Sequence, residues 1–179
     1  FQDELKNVII IKEATEGYEG EPPIVIQGHL DMVCEKEADC PIDFETDGLK
    51  LAIEGDYITA QGTTLGGDDG IAVAYALAIL ASDAISHPRL EVIFTVSEEV
   101  GMEGASGIDV SMIKGRKLLN IDSEEEGYML TSCAGGRSVE CELFVSWEEK
   151  KGVVVDISVS GLLGGHSGTE INKERTNAI

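Results

Sequence analysis

The chain has 179 residues, enough for one ordinary domain or for one domain and part of another, and its 42% hydrophobic content excludes a wholly disordered chain. Thirty-four acidic residues against 13 basic ones give a formal charge of −21, which argues against nucleic acid or an anionic membrane as the main partner and suits a protein that gathers divalent cations. No apolar stretch approaches the roughly 18 residues of a membrane span, Phe1-Gln2-Asp3-Glu4 is not a signal peptide, and Cys34, Cys40, Cys133 and Cys141 lack a C-x-x-C spacing, so the reading is a cytoplasmic protein with reduced thiols.

Val8-Ile9-Ile10-Ile11 predicts a short buried strand, and a polar turn over Glu16 to Glu21 leads through Pro22-Pro23 to a second, Ile24 to Ile26, expected to pair with it. The second strand runs into Gly28-His29-Leu30-Asp31, whose i, i+2 spacing in extended backbone puts the imidazole of His29 and the carboxylate of Asp31 on one side. Cys34 to Gly48 reads as loop. Leu49 to Ile53 and Tyr57 to Thr59 form a hairpin across Glu54-Gly55-Asp56 and deliver the chain to the glycine-rich turn Gly62 to Gly70. A helix over Ile71 to Leu80 follows, with Val73, Leu77 and Leu80 on one face and Asp68 and Asp69 at its start. Asp69 there reads as a helix cap, whereas the glycines beside Asp68 let the backbone bend its side chain into a crevice.

His87, in a loop, is expected at the surface. The apolar run Val92-Ile93-Phe94 reads as a buried strand that ends in Ser97-Glu98-Glu99-Val100-Gly101, and a loop with a short helix follows over Ala105 to Ile113. A further strand over Leu118 to Ile121 ends directly in Asp122, with Glu124, Glu125 and Glu126 expected mostly to face water. From Arg137 the pattern changes to strict alternation, with Val139, Cys141, Leu143 and Val145, then Val153, Val155, Ile157 and Val159, predicting an antiparallel hairpin with one wet face. That change marks a domain boundary, giving segments 1–134 and 135–179. A second glycine-rich turn, Gly164-Gly165-His166-Ser167-Gly168, leads into a final helix-like pattern that the chain leaves unfinished, so the sequence reads as a piece of something longer.

In an open, mostly parallel sheet the ligand crevice lies outside the carboxyl ends of the strands, so His29, Asp31, Glu98, Glu99 and Asp122 converge there if the strands are parallel. One imidazole with carboxylates from Asp68, Glu99 and Asp122 is a mixed nitrogen and oxygen donor set that suits zinc, manganese or cobalt. Adjacent glutamates in extended backbone point to opposite sides, so Glu98 and Glu99 are expected to divide the work, one as a ligand and the other free to take a proton from water.

The ordered motifs Gly28 to Val33, Thr63 to Gly70, Ser97 to Met102 and Asn120 to Gly127 resemble those of the M20 metallopeptidases, closest to the aminoacyl-histidine (Xaa-His) dipeptidase branch. The resemblance implies an α/β catalytic domain followed by the start of an α+β lid that also makes a homodimer, and hydrolysis of unblocked dipeptides of the Xaa-His type. It implies two divalent ions, usually zinc with cobalt or manganese as alternatives. Asp68 would bridge them, His29 and Asp122 would bind one and Glu99 the other. Glu98 would be the general base, Asp31 would orient His29, and His166 would contact substrate at the developing oxyanion. The family completes the second metal site with a histidine beyond this sequence, and His87 is not read as its substitute. Rival readings are another amidohydrolase of the same superfamily, a deacylase or a tripeptidase, and a non-catalytic binding or assembly protein of the same fold.

Overall fold

The computed structural model describes residues 1–123, 125–133, 135, 139–164 and 170–176. The chain divides into two units, Phe1–Cys133 and Ala134–Ile179.

The first unit holds the elements β1 (Val8–Lys12), β2 (Ile24–His29), β3 (Leu51–Glu54), β4 (Tyr57–Ala60), α1 (Gly67–Ala81), β5 (Leu90–Thr95), α2 (Glu103–Gly107) and β6 (Lys117–Asn120). Four strands make one mixed sheet in the order β1-β5-β2-β6, in which β2 runs parallel to both β5 and β6 while β1 is antiparallel to β5. The expected pairing of β1 with β2 is therefore corrected: β5, buried at all six residues, lies between them. A strand without a polar face needs neighbours on both edges and cover on both faces, and a purely local reading cannot see that. β3 and β4 form the predicted hairpin about Gly55 and Asp56, Gly55 taking the positive φ of 65° that this two-residue turn requires.

Helix α1 packs on one face of the sheet, where Ile26, Ala76, Val92 and Phe94 form the core, with Val73, Ile79 and Leu80 against it. Its most buried face is set by Ala72 and Ala76, while Leu77 is exposed, which corrects the predicted Val73-Leu77-Leu80 stripe. The reason is the closeness of helix and strand: a Cβ placed on Gly28 of β2 would lie 2.6 Å from that of Ala72, so only small side chains fit between them. Lys12 of β1 reaches the other end of α1, its Nζ donating to the carbonyls of Leu80 and Ser82 at 2.9 Å each. It supplies the positive charge that the last turn of the helix lacks.

Two polar residues deep in this unit run against simple pattern reading. His87 is 3% exposed rather than at the surface, because Thr15 and Pro88 fold around it: its backbone N–H donates to Thr15 Oγ1 at 2.9 Å, and its Nδ1 lies 2.8 Å from the carbonyl of Pro88. It precedes β5, whose length of about 20 Å separates it from the edge where Glu98 emerges. Glu91, fully buried in β5, accepts hydrogen bonds from Arg89 Nε at 2.8 Å, Gly115 N–H at 2.8 Å and Lys114 N–H at 2.9 Å. Burial pushes its carboxyl up, but Arg89 and the two amides outweigh burial and hold it below the ordinary glutamate value of 4.5. Its contribution to stability is thus present above about pH 4.5 and lost as the pH falls through the lowered folded-state value. Glu91→Ala leaves two buried amides without their partner and Arg89 with Glu13 alone, and is expected to cost about 3–5 kcal/mol in urea unfolding; a loss below about 1 kcal/mol would show that solvent replaces the carboxylate.

In the second unit a single 3₁₀ turn, Ile171–Lys173, is the only regular element among the described residues. Glu170 accepts hydrogen bonds from Arg175 at 2.9 and 3.0 Å. The hairpin predicted over Val139 to Val159 is corrected, since no ladder forms there and its alternating apolar side chains are exposed. Alternation says which side chains would share a face; a two-stranded ribbon is marginal without a third layer to cover that face. Among the described residues no helix is long and apolar enough to cross a membrane.

Candidate metal centre

Because β2, β5 and β6 run parallel, their carboxyl ends share one edge, and the segments that follow them bring His29, Glu98, Glu99 and Asp122 together there. The start of α1 adds Asp68 and Asp69. Both fall outside helical backbone, Asp68 at φ −85°, ψ 106° and Asp69 at φ −114°, ψ 34°, so the two neighbouring carboxylates take different tasks.

His29 closes β2 and is 2% exposed. Its Nδ1 lies 2.8 Å from the carbonyl of Asp31, which can only accept, so Nδ1 carries a proton and Nε2 faces the carboxylates. Nε2 stands 2.9 Å from Asp68 Oδ1 and 4.0 Å from both Glu98 Oε2 and Asp122 Oδ2. Two groups of donor atoms lie within 4.8 Å of one another, His29 with Asp68 and Asp122, and His29 with Glu98 and Glu99. Zinc takes nitrogen and carboxylate oxygen at about 2.0–2.2 Å, so ligands on one ion sit about 3–3.5 Å apart. The 4.0 Å separations from Nε2 are wider than that, and the donor chemistry, one imidazole nitrogen with carboxylate oxygens, suits a divalent ion.

Negative charge is crowded here. Asp122 is pushed up to about 6, by burial first and then by the charges of Asp68 and Asp69. Burial, followed by Asp68 and Glu98, likewise raises Glu99. Burial depresses His29, but the hydrogen bond to Asp68, the Asp31 carbonyl and the charge of Asp122 together lift it above its usual value.

Three expectations change in detail. Glu98 and Glu99 do not sit in extended backbone; Ser97, at φ 57°, turns the chain so that both carboxylates approach His29. Asp31 touches Nδ1 of His29 through its carbonyl, its carboxylate lying farther off at 3.6 Å. That carboxylate instead accepts the backbone N–H groups of Glu98 and Glu99, one oxygen each, at 3.1 Å. Asp69 is 1% exposed and does not act as a simple helix cap: its Oδ2 accepts the backbone N–H of His29 at 3.2 Å. It ties the start of α1 to the end of β2. His166 lies outside the described residues.

Beside the carboxylates a cavity of about 260 Å³, lined by Gln27, Thr95, Asn120 and Met102, opens to Glu98 and Asp122. Glu98 is therefore accessible to water, as a proton acceptor must be. The residue missed by sequence reasoning is Asn7, fully buried and bonded to both ends of the segment that carries the glutamates. A lone polar residue at the start of an apolar strand was its only signal.

The family described as Peptidase family M20/M25/M40 matches residues 25–174. The cytosol non-specific dipeptidase of Escherichia coli K12 is 42% identical over 179 residues, an alignment covering 99% of this chain and 37% of that protein. The crystal structure of an aminoacylhistidine dipeptidase from Vibrio alginolyticus superposes with a TM-score of 0.68 at 47% identity, covering 71% of this chain and 26% of that one. An aminopeptidase PepT from Bacillus cereus does so with a TM-score of 0.52 at 32% identity, covering 66% and 30%. The chain thus spans little more than a third of the E. coli protein it matches.

Proposed function

Since the chain belongs to peptidase family M20/M25/M40, we propose that the protein carrying it is a cytoplasmic, metal-dependent dipeptidase that hydrolyses unblocked dipeptides, Xaa-His among them. The observation that carries this reading is one buried imidazole facing four carboxylates, Asp68, Glu98, Glu99 and Asp122, at the carboxyl edge of a parallel strand set. The identity to a dipeptidase over nearly the whole chain supports the substrate class.

In this reading His29, Asp68 and Asp122 would hold one divalent ion, and Glu99 with Asp68 would hold the second. The charge of Asp68 raises the carboxyl of Glu99, so the two stand near each other, while the grouping of Glu99 with Glu98 marks Glu98 as the residue whose role most needs a test. When bound, zinc, or cobalt or manganese in its place, supplies Lewis acidity that polarises a peptide carbonyl and lowers the pKa of water. Glu98 would take a proton from the attacking water and pass it to the leaving amine. Asp31 keeps the turn of Glu98 and Glu99 in register with His29, and His166 donates to the developing oxyanion. Residues 1–134 are the catalytic part and 135–179 begin a lid through which two copies pair.

The substrate class is tested on the metal-loaded protein with a panel of unblocked dipeptides, tripeptides and N-acyl amino acids. Dipeptides are expected to lead in kcat/KM by about tenfold or more, the scale at which a pocket separates neighbouring substrates. A lead for N-acyl amino acids or tripeptides would move the protein to another activity of the superfamily, and no turnover with metal bound would favour a binding protein.

A further inference from the structure

The turn that carries Glu98 and Glu99 is gripped from two sides. On one side stands the Asp31 carboxylate, which accepts the N–H groups of both glutamates. On the other stands Asn7, 0% exposed, from the segment before β1. Its Nδ2 donates to the carbonyl of Gly104 at 3.0 Å and its Oδ1 accepts the N–H of Val96 at 3.2 Å, while Gly104 N–H donates to the carbonyl of Val96 at 3.1 Å. The loop that leaves β5 at Val96 and returns at Gly104 is therefore closed at its base. Asp3 fixes the amide's orientation, its Oδ2 accepting from Nδ2 and its Oδ1 from the backbone N–H of Asn7, both at 2.8 Å. No spare room exists at the clasp: a Cβ on Gly104 would lie 2.3 Å from the Val96 carbonyl oxygen and 2.5 Å from Asn7 Oδ1.

Between the clasp and the carboxylates the backbone adopts left-handed geometry at two residues that are not glycine, Ser97 at φ 57° and Met102 at φ 59°. Such residues are strained and persist where the surroundings over-determine them. A side chain at position 7 must donate once and accept once to close this loop, and donate a second time to Asp3, which an amide does and a carboxylate or an apolar residue does not.

We propose that Asn7 is a positioning residue for Glu98, acting through the backbone of Val96 and Gly104; this rests on the reading of Glu98 as the proton acceptor. A merely structural asparagine would fasten the first residues to the sheet and change stability alone. A positioning residue changes the placement of the carboxylate in molecules that remain folded, where a displacement near 1 Å is worth up to about 10²-fold in rate.

The test uses the metal-loaded protein carrying this chain, well below its unfolding temperature. Asn7→Ala is expected to lower kcat by about 10- to 100-fold with KM and metal content unchanged, and to speed amide exchange at Glu98 and Glu99. Asp3→Ala, which frees the amide without emptying a buried site, is expected to show the same pattern more weakly and decides the matter if Asn7→Ala does not fold. Unchanged kcat per folded molecule and unchanged exchange in the folded variants would overturn the proposal. Glu98→Gln is measured alongside. If it is inactive while the Asn7 and Asp3 variants are fully active, only the positioning role fails; if it keeps full kcat, the reading of Glu98 fails and the proposal with it.

Discussion

Exhaustive chelation of the protein that carries this chain is expected to take dipeptide hydrolysis to background, with zinc, cobalt or manganese restoring it. Among the described residues the side chains that face His29 Nε2 are the carboxylates of Asp68, Glu98 and Asp122, so the proposed hydrolysis uses a water made reactive. A bound divalent ion brings the pKa of water from 15.7 to about 7, and without it Glu98 faces a water too weakly acidic to yield its proton at a useful rate. The dependence carries a pH signature. Asp122 is held at about 6, and its protonated form is a poor ligand, so metal uptake is expected to fall as the pH drops through that value. In the metal-free protein the raised value means that this group's contribution to stability is fully present below its ordinary 3.8 and is lost as the pH rises through about 6. Added zinc therefore raises Tm more at about pH 7.5 than at about pH 5, because it offsets a repulsion that exists only in the higher range. Full turnover with metal absent by elemental analysis would sink the mechanism, and equal stabilisation at both values would remove Asp122 from the ligand set.

The second large effect separates the two neighbouring glutamates. Glu98→Gln keeps the volume and removes the proposed proton acceptor, so kcat is expected to fall by about 10²–10⁴-fold with metal content unchanged. Glu99→Gln removes an anionic ligand instead, and metal is expected to leave at concentrations where the parent protein holds it. The structure makes this comparison sharper than the sequence did, because both carboxylates lie in one group with His29 rather than on opposite sides of a strand. Metal released by Glu98→Gln and retained by Glu99→Gln would reverse the assignment. Loss of metal from both would make the pair a joint ligand and require another proton acceptor, with Asp122, already near neutrality, the first to examine.

The sequence by itself determined the strands at Val8, Ile24, Val92 and Leu118, the hairpin about Gly55 and the helix after Gly70. Those features are local: a run of β-branched residues, a two-residue turn and a glycine-rich helix start each carry their own signal within a few positions. It also brought His29, Glu98, Glu99 and Asp122 to one sheet edge, because a motif that directly follows a strand goes wherever that strand's end goes. Only the tertiary structure decided the rest. Ala72 and Ala76 face the sheet in place of Leu77 because Gly28 draws the helix too close for a larger residue. The carboxylate of Asp31 serves the amides of Glu98 and Glu99, 67 and 68 residues away, rather than the imidazole two residues away. Glu91 sits in the middle of an apolar strand because amides 23 and 24 residues further on come back to it, and Asn7 closes a loop whose ends lie 89 and 97 residues off. A buried polar group is stable only where its partners are, and those partners are set by the order of strands in the sheet, which no spacing along the chain encodes.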